Sequence, residues 1–595
     1  MLSGGKGRNS ILPPERGSVT RSRVDEAKRE RMESEHVEMV APLRLTAPRS
    51  ASRPVRWWWC QVAPGGKCRS RARAYLLLPI LLLFSFGSGA APPNPFESAT
   101  ATGPENKIDD LVFARLRTLN LQPAQVCSDP VFLRRVYLDT TGTLPTATEA
   151  QNFIWDQNPK KRAALIDRLL ASDEFADYWA MKWSDALRVK AEFPINLWPN
   201  AAQGYHHWLR ESVRQNLPAD QFARAVLTSS GSDFDVPPVN FYRALQSKDP
   251  QTIAQAVALA FMGTRTGKWP PAQRSNLADF FSNVGYKSTW EWKEEIVYFD
   301  PNSTNAQALG ALPKKATLPD GSRVELMPGK DPRVVFANWL TGPKNPWFAR
   351  NLANRTWSWL LGRGIIQEPD DIRPDNPPGN PQLLAYLERE LVSSGYDVKH
   401  LCRLILNSKT YQLSAIPNSD TPEAAANFAA YPLRRLDAEV LIDAVDQITG
   451  SAESYSSAIP EPYTFIPPEV RSVALPDGSI TSSFLEMFGR PARDTGLASE
   501  RNNHITAAQK LWLLNSSALR QKIQQSRMIE YQTTSGKTPH EIAAGMYLGI
   551  LSRYPTEAES GAVESYFKSS KLSLREATVD VAWALMNSDE FLYRH

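Results

Sequence analysis

Two loops dense in charge are where this sequence could do chemistry. The first, Glu368-Pro-Asp-Asp-Ile-Arg-Pro-Asp-Asn-Pro-Pro378, lies between two helical stretches and sets Asp370, Asp371, Arg373, Asp375 and Asn376 among prolines that fix φ. Such stiffening lowers the entropy cost of presenting a site. The segment therefore reads either as a preorganised carboxylate and guanidinium cleft for a polar ligand, or as an Arg–Asp network that locks a long interhelical connection. The second loop joins Phe488-Gly-Arg-Pro-Ala-Arg-Asp494 to Ser499-Glu-Arg-Asn-Asn-His504, just before a helix expected near Thr506. It gathers Arg490, Arg493, Asp494, Glu500, Arg501, Asn502 and His504 as ligand-binding candidates. A helix start beside these groups favours an anion such as sulfate or a carboxylated sugar, while helix capping with a surface ion-pair net accounts for the same residues. Paired carboxylates, Asp371 with Asp375 or Glu500, beside Arg373 or Arg501, would suit a hydrolase or lyase acting on acidic or sulfated polysaccharide.

Elsewhere the chain lacks the strong catalytic signatures. It has no Gly-x-Ser-x-Gly elbow, no His-Glu-x-x-His helix, no phosphate-binding Gly-rich loop, no dinucleotide fingerprint and no Cys-x-x-Cys-His attachment site. No cofactor and no metal site are expected, and whether the chain is an enzyme stays open. His206 and His207 are adjacent, about 100° apart on a helix, and cannot make an i, i+4 ligand pair. In Arg134-Arg-Val-Tyr-Leu-Asp139-Thr-Thr-Gly142, the arginines are expected to tie a helix to its neighbours while Asp139 and Thr140–Thr141 close it. Tryptophans at helical positions, including Trp155, Trp179, Trp183, Trp208, Trp339, Trp357 and Trp512, read as core. Trp290 and Trp292 flank Glu291 in a loop and are the better candidates for stacking on a sugar.

These groups must be carried by helices. From Ile108 the apolar residues recur at i, i+3, i+4 and i+8, and that period continues for most of the chain. Few runs alternate with period two. The exception is central, where Glu295–Phe299, Ala316–Leu318 and Arg323–Leu326 flank Pro319-Asp-Gly321, a hairpin signal. The fold class is therefore mainly α, as two helical domains joined through a short β-hairpin region. The boundaries fall at 1–91 for a leader, 92–107 for a linker, 108–300 for the first domain, 301–330 for the hairpin and 331–595 for the second. Pro145-Thr-Ala-Thr-Glu149 and Pro555-Thr-Glu-Ala-Glu559 both contain Thr-x-x-Glu capping boxes, and each is followed by Ser-Asp-Glu-Phe, at 172–175 and 588–591. Chance reuse of a helix-pair closure and duplication of a small helical unit both explain this echo.

The 595 residues, 42% hydrophobic and 22% charged, exclude a wholly disordered or many-span membrane protein. The net charge of +5 misleads, because residues 1–91 hold 16 Lys and Arg against 7 Asp and Glu, which leaves −4 for the rest. A slightly acidic body without a basic stripe lacks the footprint needed to bind a phosphate backbone, so no nucleic acid partner is expected. Arg69, Arg71 and Arg73 precede the apolar run Ala74–Phe86 and the small residues Gly87–Ala91, the order of a secretory signal. Thirteen residues are short for a bilayer core, so the chain is expected to be exported to the periplasm, the cell surface or the medium. Membrane attachment would come only through an uncleaved leader. The residues upstream of the signal are long for an n-region and fit a start called too early. Cys127 and Cys402 remain after the leader, either bridged or as two buried thiols.

The sequence resembles the secreted proteins of planctomycetes and related bacteria that pair two adjacent domains of unknown function, DUF1549 and DUF1553. The first is carried by Phe132-Leu-Arg-Arg-Val-Tyr-Leu-Asp-Thr-Thr-Gly-Thr-Leu-Pro-Thr146 and Leu165-Ile-Asp-Arg-Leu-Leu-Ala-Ser172. The second rests on Asn345–Trp357, Gly395-Tyr-Asp-Val-Lys-His-Leu401, Ser408-Lys-Thr-Tyr-Gln412 and Phe488-Gly-Arg-Pro491. The resemblance runs from about residue 108 to the C-terminus. Many such proteins carry Cys-x-x-Cys-His late in the first domain, which implies a covalent haem. Here the stretch reads Arg265-Thr-Gly-Lys-Trp-Pro-Pro271, so the resemblance implies a variant without that haem, and electron transfer is disfavoured. It further implies an exported helical protein of unknown biochemical activity, a binding or accessory protein linked to polysaccharide use with a polysaccharide or a surface protein as partner.

Overall fold

A computed structural model describes residues 94–99, 102–192, 197–302, 314–459, 462–466 and 469–595. The leader read at 1–91, with its signal segment, lies outside the described residues. Helices dominate, and among the described residues the strands form only two- and three-stranded sheets. The apolar period resolves into helices such as Pro381–Ser393 and Ala438–Thr449. Others start one turn earlier than the apolar period implies. The Asp173–Ala186 helix begins at its Ser172 cap, whose hydroxyl accepts the Phe175 N–H, because a cap fixes the start before the first buried side chain does. No helix among the described residues is long and apolar enough to cross a membrane.

The central hairpin forms as expected, with Lys314–Thr317 antiparallel to Arg323–Leu326 around Pro319–Gly321, where Gly321 takes φ +84°. Glu295–Phe299 is not part of it. That strand pairs with Val284–Ser288 and Gly231–Ser232 in a three-stranded sheet, which the sequence did not reveal because Val284–Ser288 carries no clear alternation.

The two halves do not meet only through the hairpin. The described residues form one compact unit, with a single continuous core running from Ile108 to Leu592. Within the stretch expected as a linker, residues 94–99 pack on this core: Ser98 N–H donates to the Val126 carbonyl at 2.8 Å, and Phe96 packs edge-on against His595. The first half is tied to the second by buried arginines. Arg134 donates to the carbonyls of Ile550 and Phe591, and Arg135 to those of Tyr411, Leu413 and His595. The arginines thus tie their helix to its neighbours, as the sequence indicates. Asp139 does more than close it. It accepts from Tyr411 and Tyr431 at 2.8 and 2.7 Å and from Arg434 at 2.6 Å, all three from the second half.

The C-terminal strand Tyr593–Arg594 pairs with Arg434–Arg435 and carries Arg594 into the centre. Its guanidinium lies 3.0 Å from Asp437 and 3.4 Å from Asp139, and it donates to the Tyr178 hydroxyl at 2.7 Å. Asp437 is held well below the usual carboxylate range, despite its burial, by Arg594, Lys182 and Arg501. Lys182, fully buried beside it, is pushed down to about 8 by desolvation.

Cys127 and Cys402 are both buried and free, which settles the alternatives in favour of two thiols. Burial pushes the Cys402 thiol far up, so it is inert. Trp179 and Trp183 are core residues, both edge-on to Trp359, but Trp155 is 60% exposed, contrary to its reading as core. It ends its helix, where the buried face has already turned away.

The echo between the two ends is structural. Ala147–Trp155 and Glu557–Ser569 both open on the expected capping box, and Ser172 and Ser588 cap the helix that follows the next one. The residue nine positions before each capping-box threonine also matches: Tyr137 and Tyr547 are followed five residues later by Gly142 at φ +63° and Ser552 at φ +62°. A left-handed residue at the same place, in one copy without a glycine, marks one four-helix unit used twice.

Removing Arg594 and His595 should leave Asp437 and Asp139 as under-compensated buried charges. The expected cost is at least about 3 kcal/mol, read as a lower urea midpoint for the truncated chain.

Candidate functional site

Both polar loops pair most of their charges with one another or with neighbouring elements. Asp370 is fully buried, accepting from Arg355 at 2.7 Å and from the Ala498 N–H at 2.5 Å. This last contact joins the first loop to the second. Arg373 forks between Asp371 at 2.7 Å and Asp375 at 2.8 Å, and Asn376 donates to the carbonyls of Gln367 and Asp371. The carboxylates suggested as an acid and base pair thus share one guanidinium.

The second loop is held the same way. Arg501 bridges Asp185 and Glu439, each at 2.6 Å, and Arg493 holds the other oxygen of Asp185 at 2.9 Å. Arg490 lies 3.5 Å from Glu439 and donates to the carbonyls of Ile480 and Asp477. Its burial pulls it down to about 10. Asp494 pairs with Lys190 at 2.7 Å. Glu500 accepts the N–H groups of Asp494 and Thr495, which fastens the loop to itself. The Asn502 side chain accepts from the His504 N–H, and His504 is exposed. The Asp–Arg lock is thus the arrangement present, and the guanidinium groups that would hold an anion already hold carboxylates.

The Ala438–Thr449 helix carries three carboxylates that are not among the candidates above. Glu439, Asp443 and Asp446 fall at i, i+4 and i+7 on one face, and the helix contains no Lys or Arg. That acidic stripe was the available signal. Its three carboxylates meet different surroundings. Glu439 is buried in the arginine cluster. Asp443 accepts the N–H groups of Ser472 and Val473 at 2.6 and 3.1 Å. Burial pushes its carboxyl up to about 7, against the pull of those two donors and Arg471. Asp446 pairs with Lys522 at 2.5 Å and accepts from Ser451.

Asp443 and Asp446 line a cleft of about 580 Å³. Its opposite wall comes from the first four-helix unit: Tyr137, Thr143, Glu149, Arg168 and Glu174. Glu453, Glu469 and Arg471 complete the rim. Glu149, Glu174, Asp446, Glu453 and Glu469 against Arg168, Arg471 and Lys522 leave the cleft acidic, which disfavours a sulfated or carboxylated ligand there.

A second feature is an aromatic patch. The tip between Val284–Ser288 and Glu295–Phe299 carries Trp290, fully exposed, and Trp292, 55% exposed. The Trp292 ring lies 4.6 Å from Trp198 and 5.6 Å from Tyr463, so three separate segments bring rings together at the surface. Lys293 Nζ stands 5.7 Å from the rings of both Trp198 and Trp292. The hairpin is braced at its root, where Glu294 accepts from Ser232 and Thr289, and Glu295 pairs with Lys248 and Arg243.

Fold and packing define a mainly helical protein built as one body from two sequence segments. Those segments match two family models, the protein of unknown function DUF1549 (PSCyt2) over residues 107–268 and the protein of unknown function DUF1553 (PSD1) over residues 332–567. The chain belongs to the family of proteins that pair these two domains. No curated protein and no solved structure matches it. Asp139 lies within the first match, and both polar loops and the acidic stripe lie within the second.

The raised Asp443 carboxyl sets a pH dependence. Between about pH 4, where an unfolded Asp ionises, and about pH 7, the native chain keeps a proton that the unfolded chain has lost. Its contribution is therefore full below pH 4 and falls as pH rises to 7, by up to about 4 kcal/mol. Carbon NMR of the Asp443 carboxyl should show a midpoint near 7, and Asp443→Asn should flatten the loss of stability over that window.

Proposed function

We propose that this protein is exported and acts by binding, holding a polysaccharide at the cell surface or in the periplasm on the Trp198, Trp290, Trp292 and Tyr463 patch. The observation that carries this reading is the convergence of exposed rings at Trp292. Rings left in water forgo burial, and a cluster of them on a braced hairpin is costly unless something covers it. The C–H faces of a sugar suit the electron-rich ring face, and Trp290 has both of its faces open. The basic, apolar and small-residue order of Arg69–Ala91 supports export. The pairing of charges in the two polar loops supports binding over chemistry at those loops.

A carboxylate-dependent hydrolase or lyase is the second reading, and one observation favours it. Asp443, held near 7, stands one helical turn from Asp446, which Lys522 holds beside the same cleft, so a proton donor and an ionised partner would share a site. The charge of that cleft suits a neutral or basic polymer better than an acidic or sulfated one.

Retention on a panel of insoluble and immobilised polysaccharides tests the first reading. Wild-type protein should be retained by at least one, and the Trp290→Ala, Trp292→Ala double variant should bind about tenfold more weakly with its urea midpoint unchanged. Equal retention of both proteins would end it. Release of reducing ends that vanishes in Asp446→Asn would favour the second reading.

A further inference from the structure

The repeated four-helix unit compares the protein with itself. In the second copy, Arg553 is 4% exposed and bridges Glu559 at 2.7 Å and Glu590 at 2.6 Å, with its guanidinium 5.1 Å from the Tyr547 ring. Each of these acceptors has a counterpart in the first copy. Counting back from the shared Pro-Thr-x-x-Glu and Ser-Asp-Glu-Phe segments, Glu559 corresponds to Glu149, Glu590 to Glu174 and Tyr547 to Tyr137. The arginine does not carry over. Its counterpart is Thr143, whose hydroxyl meets only Thr141.

Thr143, Glu149, Glu174 and Tyr137 all line the 580 Å³ cleft. The counterparts of Arg553 and of its partners thus all face solvent-accessible volume in the first copy. Arg168, from the next helix, serves part of the role. It donates to the Tyr137 hydroxyl at 2.7 Å and lies 3.4 Å from Glu149, but its side chain is 57% exposed and it makes no ion pair with Glu174. Across the cleft, Glu469 adds negative charge, and Asp446 and Glu453 share the single ammonium of Lys522.

We propose that this cleft is a binding site for a guanidinium group, an arginine side chain presented by a polypeptide partner, seated between Glu149 and Glu174 as Arg553 is seated between Glu559 and Glu590. A guanidinium is favoured over an ammonium because its planar fork can bond two carboxylates at once and lie against an aromatic ring, as the second copy does within its own chain. The site stands apart from the aromatic patch and is independent of the polysaccharide reading.

Calorimetric titration of the full chain with N-acetylarginine amide tests this, with N-acetyllysine amide as the comparison. Saturable binding of the arginine probe, weakening with added salt and at least tenfold weaker for the lysine probe, is the expected result. Thr143→Arg supplies the guanidinium in cis and should reduce binding at least tenfold while leaving or raising the thermal midpoint. Glu174→Gln, an exposed change that does not threaten the fold, should also weaken binding at least fivefold. No saturable binding by the wild type, equal binding of both probes, or undiminished binding in both variants would overturn the proposal.

Discussion

Two buried carboxylates, Asp139 and Asp437, hold this protein together. One sits near the end of a helix in the first family segment and the other just before a helix in the second. Arg594, the penultimate residue, reaches both. Isolated, either charge would cost several kcal/mol in a dry interior, and each is tolerated because arginine and tyrosine donors surround it. Every donor to Asp139 comes from the second segment, while Asp437 accepts from Tyr178 of the first, from Arg594 and from Asn503 of its own segment. The first segment supplies no side-chain donor to Asp139, and the second relies on Tyr178 and Lys182 of the first to complete the surroundings of Asp437. That shared need explains why two domains adjacent in sequence pack as one body, and why the C-terminus ends as a strand in the middle of the structure.

The same chemistry extends outward to the polar loops. Arg501 and Arg493 hold Asp185 of the first segment, and Arg355 holds Asp370, which in turn accepts from the second loop. A loop rich in aspartate and arginine resembles a site in sequence whether its charges face a ligand or one another. Here they face one another. The proposed recognition surfaces lie elsewhere, in exposed rings on a braced hairpin and in an acidic cleft where one copy of a repeated unit lacks the arginine of the other.

Most of the helices were legible, because apolar period and capping residues act locally: the Thr-x-x-Glu boxes at 146 and 556 form as written. The hairpin at Pro319–Gly321 was legible for the same reason. The pairing of Glu295–Phe299 with Val284–Ser288 was not, since register depends on partners distant in sequence. The site was legible only in part. Trp290 and Trp292 stood out because a loop offers no core to bury them, whereas their meeting with Trp198 and Tyr463 is tertiary. Asp443 was hidden within an apolar helix, and its altered acidity arises from burial against the 472–473 backbone, which sequence spacing does not encode. The missing arginine at Thr143 became visible only once the two units could be aligned through Gly142 and Ser552.

Native-state hydrogen exchange by mass spectrometry, in low concentrations of urea, tests the central claim that the two segments share one buried charge cluster. Peptides from the Asp129–Thr140 helix and from the Ala438–Thr449 helix should lose protection together, with the same opening free energy and the same dependence on urea. Exchange of one helix at a urea concentration where the other stays fully protected would contradict it.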